Sequence, residues 1–311
     1  MQLQINNFCN QNCNHCYLDQ TPEMMSFENY KIIINKFFYE NKGDSVLLIG
    51  GEPCLHPDLI EMIKYVPEDK ICVLATNGTI LTDELIDTIK NKKKKFVQVS
   101  IEGTEKIHNE IRGKGNYQKV IAGIKKLREA DIEVHISFTV NSYNYKTILD
   151  VYKNMYNLDV DFIWADRIIP IKDNFLKPLT TEQHKEFIEM FYAGAKKYKN
   201  KTFIWRALQF LAEPDKIPIY SCGIGRHWNV KTDGRLVLCA RMPIEVGLNA
   251  ITDKTEKINQ TISCIANYIP KECIGCKYEK KCMGGLKCAT WHAYHDLDRK
   301  DPNCPIQNGR I

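Results

Sequence analysis

The sequence predicts an α/β protein with a parallel sheet, followed by a smaller cysteine-rich region. Three observations carry this. Over the first two-thirds of the chain, short apolar runs alternate with stretches of helical period, about six βα units in all. Such units build a parallel sheet through right-handed crossovers. After about residue 211 the alternation stops, and Glu213-Pro214 and Pro218 read as a linker. The cysteines gather at the two ends: Cys9, Cys13 and Cys16 at the start and eight more from Cys222 to Cys304, with only Cys54 and Cys72 between. The expected division is a first domain over 1–212 and a second over 213–311, which the 311 residues can accommodate.

Each element has a local reason. Residues 3–5 form a short apolar strand leading into the first cysteine loop. Ser26 is placed to cap an amphipathic helix to about residue 39. Residues 45–49 read as a buried strand ending at Gly50-Gly51, 56–66 as a helix, and 71–75 as a strand closed by Asn77-Gly78. Thr82 caps the next helix, with Asp83 and Glu84 at the positive end of its dipole. Strands at 96–101, 132–140 and 160–169 alternate with helices at 116–129, 145–157 and 181–198. In parallel sheets the loops after the strands carry the chemistry. The first cysteine triplet, Gly50-Gly51-Glu52-Pro53, Asn77-Gly78 and Ser100 all fall in such loops, so one rim holds one site. In the tail, Gly234 opens a turn into a strand at 236–239.

Composition narrows the class. A net charge of +5 is small for this length and does not argue for a nucleic-acid partner; Lys92 to Lys95 read as a solvated loop. The first ten residues have no apolar signal core, and no stretch approaches the roughly 20 apolar residues of a membrane span. A cytoplasmic protein that works away from membranes is expected. In a reducing compartment, thirteen cysteines point to metal ligands and not to disulfides, and the odd number weighs against full pairing.

Cys9-x3-Cys13-x2-Cys16 places three thiols on one loop. Three thiolates can hold three irons of a cubane cluster and leave the fourth open to a ligand. A structural zinc site wants four protein ligands, and His15 is the one local candidate for the fourth. This loop after a first strand resembles the signature of the radical SAM superfamily. Gly50-Gly51-Glu52-Pro53 is similar to that family's GGEP motif, which holds the amino group of S-adenosylmethionine. A carboxylate suits an ammonium, and glycines allow close backbone approach. Asn77 lies in a segment similar to the third-strand motif. Ser100 and Arg112 resemble the serine and arginine that bind the S-adenosylmethionine carboxylate in the sulfatase-maturase branch; a guanidinium fork matches a carboxylate. His15 stands where the family usually has an aromatic residue that contacts adenine partly through its backbone. The resemblance implies a partial (β/α)6 TIM-type barrel.

Cys222, Cys239, Cys273, Cys276, Cys282, Cys288 and Cys304 form an ordered series closed by Asp301-Pro302-Asn303-Cys304-Pro305. Paired CxxC spacing also suits a zinc ribbon. The series resembles a SPASM domain, a small iron–sulfur-stapled extension with two auxiliary clusters. That resemblance implies Cys222, Cys239 and Cys288 for the first and Cys273, Cys276, Cys282 and Cys304 for the second. Five residues separate Cys282 from Cys288, where the family commonly has three. One auxiliary iron is then open unless Cys264 or a substrate fills it. Cys54, Cys72 and Cys264 otherwise read as buried small apolar residues.

The resemblance implies three 4Fe–4S clusters, one binding S-adenosylmethionine and two auxiliary. It also implies reductive cleavage of S-adenosylmethionine to a 5′-deoxyadenosyl radical that takes hydrogen from a substrate. The substrate it points to is a ribosomally made peptide or protein, crosslinked or oxidised, with flavodoxin or ferredoxin as reductant. Cys239 is followed by Ala240-Arg241, where the sulfatase-maturase branch has an aspartate base, so that activity is not expected. The first strand begins at once, which suggests a separate peptide-recognition protein or a small substrate. The alternative is a dehydrogenase of a small molecule such as an aminocyclitol or sugar. No catalytic acid or base is assigned; Asp166, Arg167 and Arg241 read as structural ion pairs.

Overall fold

A computed structural model describes residues 1–199, 201–204, 221–304 and 306. The expected boundary at 212/213 and the linker prolines lie outside the described residues. Six parallel strands stand in chain order: β1 (Gln2–Gln4), β2 (Ser45–Ile49), β3 (Ile71–Thr76), β4 (Lys95–Ser100), β5 (Val134–Val140) and β6 (Phe162–Arg167). β7 (Lys201–Ile204) extends the same edge. Sequential order without a reversal is what a curling half-barrel needs, since every crossover then packs on the same face.

Period-two alternation assigns the two faces. Val46, Leu48, Val97, Val99, Ile136, Phe138 and Ile163 face outward and are buried under the helices. These are α1 (Phe27–Asn35), α2 (Leu59–Tyr65), α3 (Asp83–Lys90), α4 (Glu105–Arg112), α5 (Asn116–Glu129), α6 (Ile148–Asn157) and α7 (Thr181–Tyr198). Each such aliphatic or aromatic side chain contributes about 1.5–3 kcal/mol by leaving water. The inner face is more polar. Register sets Gln98 beside His135, Ser100 beside Ser137, and Thr139 beside Asp166. Phe96 stacks on His135, and Phe162 packs tilted against the same ring, across neighbouring strands at one level of this face.

The caps act as expected. Ser26 Oγ accepts from Asn29 N and Thr82 Oγ1 accepts from Leu85 N, each at 3.2 Å. Three local expectations change. The first helix stops at Asn35 and continues as a π-helical turn, Lys36–Glu40. The stretch after Pro53 begins as a 3-10 turn, and α2 starts only at Leu59. Lys92 is not solvated: it is buried, and its Nζ donates to Val66 O and Glu68 Oε1, both at 2.5 Å. The short helix α4, which carries Arg112, was not foreseen; its only apolar residues are Ile107 and Ile111, one pair four apart.

The cysteine-rich part continues the main sheet. β8 (Asn229–Val230) pairs in parallel with β1, and β9 (Arg235–Cys239) and β10 (Met242–Asn249) follow antiparallel. Gly234, at φ +84°, makes the turn into β9. Trp228, Val230, Leu236, Leu248 and Ile258 belong to the main core, Ile258 coming from α8 (Thr255–Ala266). Beyond it, α9 (Glu279–Cys282) and α10 (Lys287–Tyr294) enclose two small apolar clusters built around cysteines. Among the described residues, no helix is long and apolar enough to cross a membrane.

Candidate functional site

The rim at the C-terminal ends of the strands is built from two loops locked together. After β1, Asn6 is fully buried; its Nδ2 donates to Glu52 O at 2.9 Å, and its own carbonyl accepts from Gly51 N at 3.0 Å. Glu52 N donates to Phe8 O at 2.8 Å. A Cβ on Gly50 would lie 1.9 Å from Asn6 Oδ1, and one on Gly51 2.1 Å from Phe8 O. The glycines are therefore needed first for the approach of the cysteine loop, a packing role the sequence reading did not foresee.

Glu52 is buried and braces the rim. Its Oε1 accepts from Thr76 Oγ1 at 2.7 Å and Cys54 N at 3.0 Å; its Oε2 accepts from Asn77 N at 2.7 Å. Burial raises its pKa, and these hydrogen bonds oppose the rise. Asn77 is held between strand end and cysteine loop: Nδ2 donates to Asn10 Oδ1 at 2.8 Å and reaches Cys9 Sγ at 3.8 Å. Pro53 opens the following 3-10 turn.

Cys9, Cys13, Cys16, His15, Gly50, Gly51, Glu52, Asn77, Ser100 and Arg112 line one cavity of about 230 Å³. The expected site residues of this half, Pro53 excepted, thus meet in one place. Arg112 is not a free fork. Its Nε and Nη2 donate to Glu102 Oε1 at 3.0 and 2.6 Å, while Nη1 reaches Cys13 Sγ at 3.8 Å. Glu102 is fully buried, and its Oε2 accepts from Thr139 N at 3.1 Å. The sequence reading missed Glu102; its signal was an acid two residues after the strand that ends in Ser100, followed by Gly103 at φ +139°. His15 Nε2 lies 3.3 Å from Arg112 Nη2. Burial first, then the Arg112 charge, holds His15 well below its ordinary pKa, so the ring is neutral. With Nε2 accepting from Arg112, the ring proton sits on Nδ1, which is buried without a hydrogen-bond partner.

The donor set suits an iron–sulfur cluster. Gln11 N donates to Cys9 Sγ at 3.4 Å, and Gln11 Nε2 is buried without a partner. Burial raises Cys9 and pushes Cys13 up to about 11, so metal is what would deprotonate these thiols. Among the described residues, none of the thirteen cysteines forms a disulfide, and no three Cys, His, Asp or Glu side chains make a single-ion cage.

Deeper in the barrel lies a cavity of about 300 Å³ that reaches Cys222, Cys239 and Cys288. It shares Gln2, Leu47, Gln98, Ser137 and Arg241 with the rim cavity. Cys273, Cys276, Cys282 and Cys304 surround a separate small void with Tyr278 and Ile306. Burial raises Cys304 and pushes Cys273 up to about 11 and Cys282 to about 12. Cys54 is half-buried against the core and Cys72 is buried, as expected; Cys264 is a correction, being exposed on α8 and outside every cysteine-lined cavity described above. Asp166 and Arg167 are ion-paired to the cysteine-rich part: Arg241 Nη2 donates to Asp166 Oδ2 at 2.7 Å, and Arg167 grips Asp301. Asp301 Oδ2 also accepts from Leu286 N at 2.7 Å, giving the closing motif a structural task.

The comparisons agree with this geometry. SuiB of Streptococcus suis, solved with S-adenosylmethionine, superposes with a TM-score of 0.80 at 15% identity, over 98% of this chain and 76% of its own; at that identity the likeness speaks for the fold. An AdoMet-dependent heme synthase of Methanosarcina barkeri is 24% identical over 334 residues, covering 97% of this chain and 95% of its own. The antilisterial bacteriocin subtilosin biosynthesis protein AlbA of Bacillus subtilis is 28% identical over 279 residues, 82% of this chain but only 58% of AlbA. The family model described as the radical SAM superfamily matches residues 3–155, the stretch that holds the cysteine loop, the paired glycines, Asn77, Ser100 and Arg112. By that match, and by the half-barrel that gathers those residues at one rim, the chain carries a radical SAM domain.

Proposed function

We propose that the chain is a peptide or protein maturase that crosslinks or oxidises a ribosomally made substrate. One observation carries this reading: the rim cavity with Cys9, Cys13 and Cys16 shares its walls with the deeper cavity that reaches Cys222, Cys239 and Cys288. A substrate in that space lies between the two cysteine sets. When bound, a 4Fe–4S cluster on the first set supplies the electron that cleaves S-adenosylmethionine to a 5′-deoxyadenosyl radical.

The residues divide the remaining work. Cys9, Cys13 and Cys16 hold the first cluster. The Gly50–Glu52 turn receives the ammonium of S-adenosylmethionine, Ser100 and Arg112 its carboxylate, and His15 and Asn77 flank the nucleoside. Glu102 fixes Arg112, because a guanidinium already bonded on one side has a defined direction. The walls above the aromatic layer exclude water from a reactive carbon. Cys222, Cys239 and Cys288 hold one auxiliary cluster, and Cys273, Cys276, Cys282 and Cys304 the other. The voids bordered by several of these thiols support clusters at both places. Flavodoxin or ferredoxin would deliver the electron, and a separate recognition protein could present the peptide. SuiB, solved bound to its precursor peptide SuiA, supports a peptide substrate for this fold. A second reading, oxidation of a small molecule such as an aminocyclitol or sugar, is favoured by the nearly full-length match to a heme synthase.

The test is anaerobic reconstitution followed by metal, sulfide and turnover analysis. Three clusters predict about 12 irons and 12 sulfides per chain. Peptides should stimulate 5′-deoxyadenosine formation and lose two hydrogens by mass. Stimulation by cyclitols or sugars alone would favour the second reading, and about four irons with bound zinc would sink the auxiliary clusters.

A further inference from the structure

Lys287 is 2% exposed, and its Nζ is buried without a hydrogen-bond partner. Leaving an ammonium desolvated and unbonded is costly unless negative charge lies close. The chain nevertheless builds a specific seat for it. Met283, Gly284 and Gly285 run at φ +53°, +81° and +78°, a left-handed stretch that turns the chain inward after Cys282. A Cβ on Gly284 would lie 2.9 Å from Lys287 Nζ and 2.4 Å from Pro270 Cγ, so glycine clears the room. The ammonium then rests 5.3 Å from the centroid of the Tyr268 ring, a cation–π contact.

This seat is the wall between two cysteine sets. Lys287 lines the cavity with Cys222, Cys239 and Cys288. Gly284, against which its Nζ lies, lines the void with Cys273, Cys276, Cys282 and Cys304. Burial lowers the Lys287 pKa, and charge on the groups around it opposes that from both sets, Cys222 on one side and Cys273 and Cys282 on the other, with Asp301 beside them. The five-residue spacer between Cys282 and Cys288 is what puts a lysine there.

We propose that Lys287 is a positioning charge shared by the two auxiliary clusters, stabilising their reduced, more negative states and so raising both reduction potentials. The inference rests on the reading that those seven cysteines hold clusters. A nearby positive charge favours the state with the extra electron, and cluster net charge and surroundings are what set these potentials.

The experiment is an anaerobic redox titration, followed by electron paramagnetic resonance, of reconstituted wild type, Lys287→Met and Lys287→Arg, with iron counted in each. Lys287→Met should keep its iron and move both auxiliary potentials to more negative values. The potential of the Cys9, Cys13 and Cys16 cluster should stay unchanged, and Lys287→Arg should restore the auxiliary pair. Iron lost from Lys287→Met but kept by Lys287→Arg supports the same charge requirement. Full iron with unmoved potentials, or iron lost equally from both variants, overturns the proposal. A wild-type count near four irons, by contrast, overturns the auxiliary-cluster reading itself and this inference with it.

Discussion

Arg112 is bonded through Nε and Nη2 to a single oxygen of Glu102, a residue with no exposed surface, while Nη1 extends toward Cys13 Sγ. Glu102 therefore decides where a guanidinium points inside the cysteine cavity. Removing one partner of a buried pair strands the other charge, at a cost of about 3–5 kcal/mol. Glu102→Ala should lower unfolding stability by that order in urea. It should also weaken S-adenosylmethionine binding, read by equilibrium dialysis, more than Glu102→Gln does. Equal binding by all three proteins would show that Arg112 needs no such partner.

Gly51 faces Phe8 O so closely that a methyl group cannot fit. Gly51→Ala should displace the cysteine loop, and a misplacement of about 1 Å at such a site costs on the order of 100-fold in rate. The 5′-deoxyadenosine assay should fall accordingly, with iron lost from the first cluster and kept elsewhere. Normal turnover would mean the loop can yield without cost.

Cys288 and Cys264 make a paired test of the ligand set. Cys288 is buried at the cavity that also reaches Cys222 and Cys239, whereas Cys264 is exposed on α8. Cys288→Ser should lower the iron content by up to about four atoms, one cluster's worth. Cys264→Ser should leave the iron unchanged. The reverse result would make Cys264 the ligand.

His184 is buried beside Arg167, and burial first, then that charge, holds its pKa at about 3 against an ordinary 6.5. The unfolded chain therefore binds a proton that the folded chain refuses between those values. Stability contributed by the neutral ring is fully present above about pH 6.5 and is lost as pH falls toward 3, by up to about 1.4 kcal/mol per pH unit. Urea midpoints measured from pH 7 to 5 should decline less steeply in His184→Gln than in wild type. Parallel slopes would place the acid sensitivity elsewhere.

What the sequence determined by itself was whatever depends on neighbours along the chain. The βα alternation, the caps at Ser26 and Thr82, the turn at Gly234, and the spacing of Cys9, Cys13 and Cys16 are local, because period, capping chemistry and loop length act over a few residues. The gathering of Glu52, Asn77, Ser100 and Arg112 was legible for a related reason: each follows a strand, and a parallel sheet sends all such loops to one rim. Tertiary structure alone decided the partners. Glu52 meets the backbone of Asn77, Glu102 meets Arg112 and Thr139, and Arg167 meets Asp301 across 134 positions. It also buried Lys92, which read as part of a solvated loop, and Lys287, and exposed Cys264, which read as core. The electrostatic environment of a side chain is set by which elements cross over it, and that depends on register and packing between segments far apart in the chain.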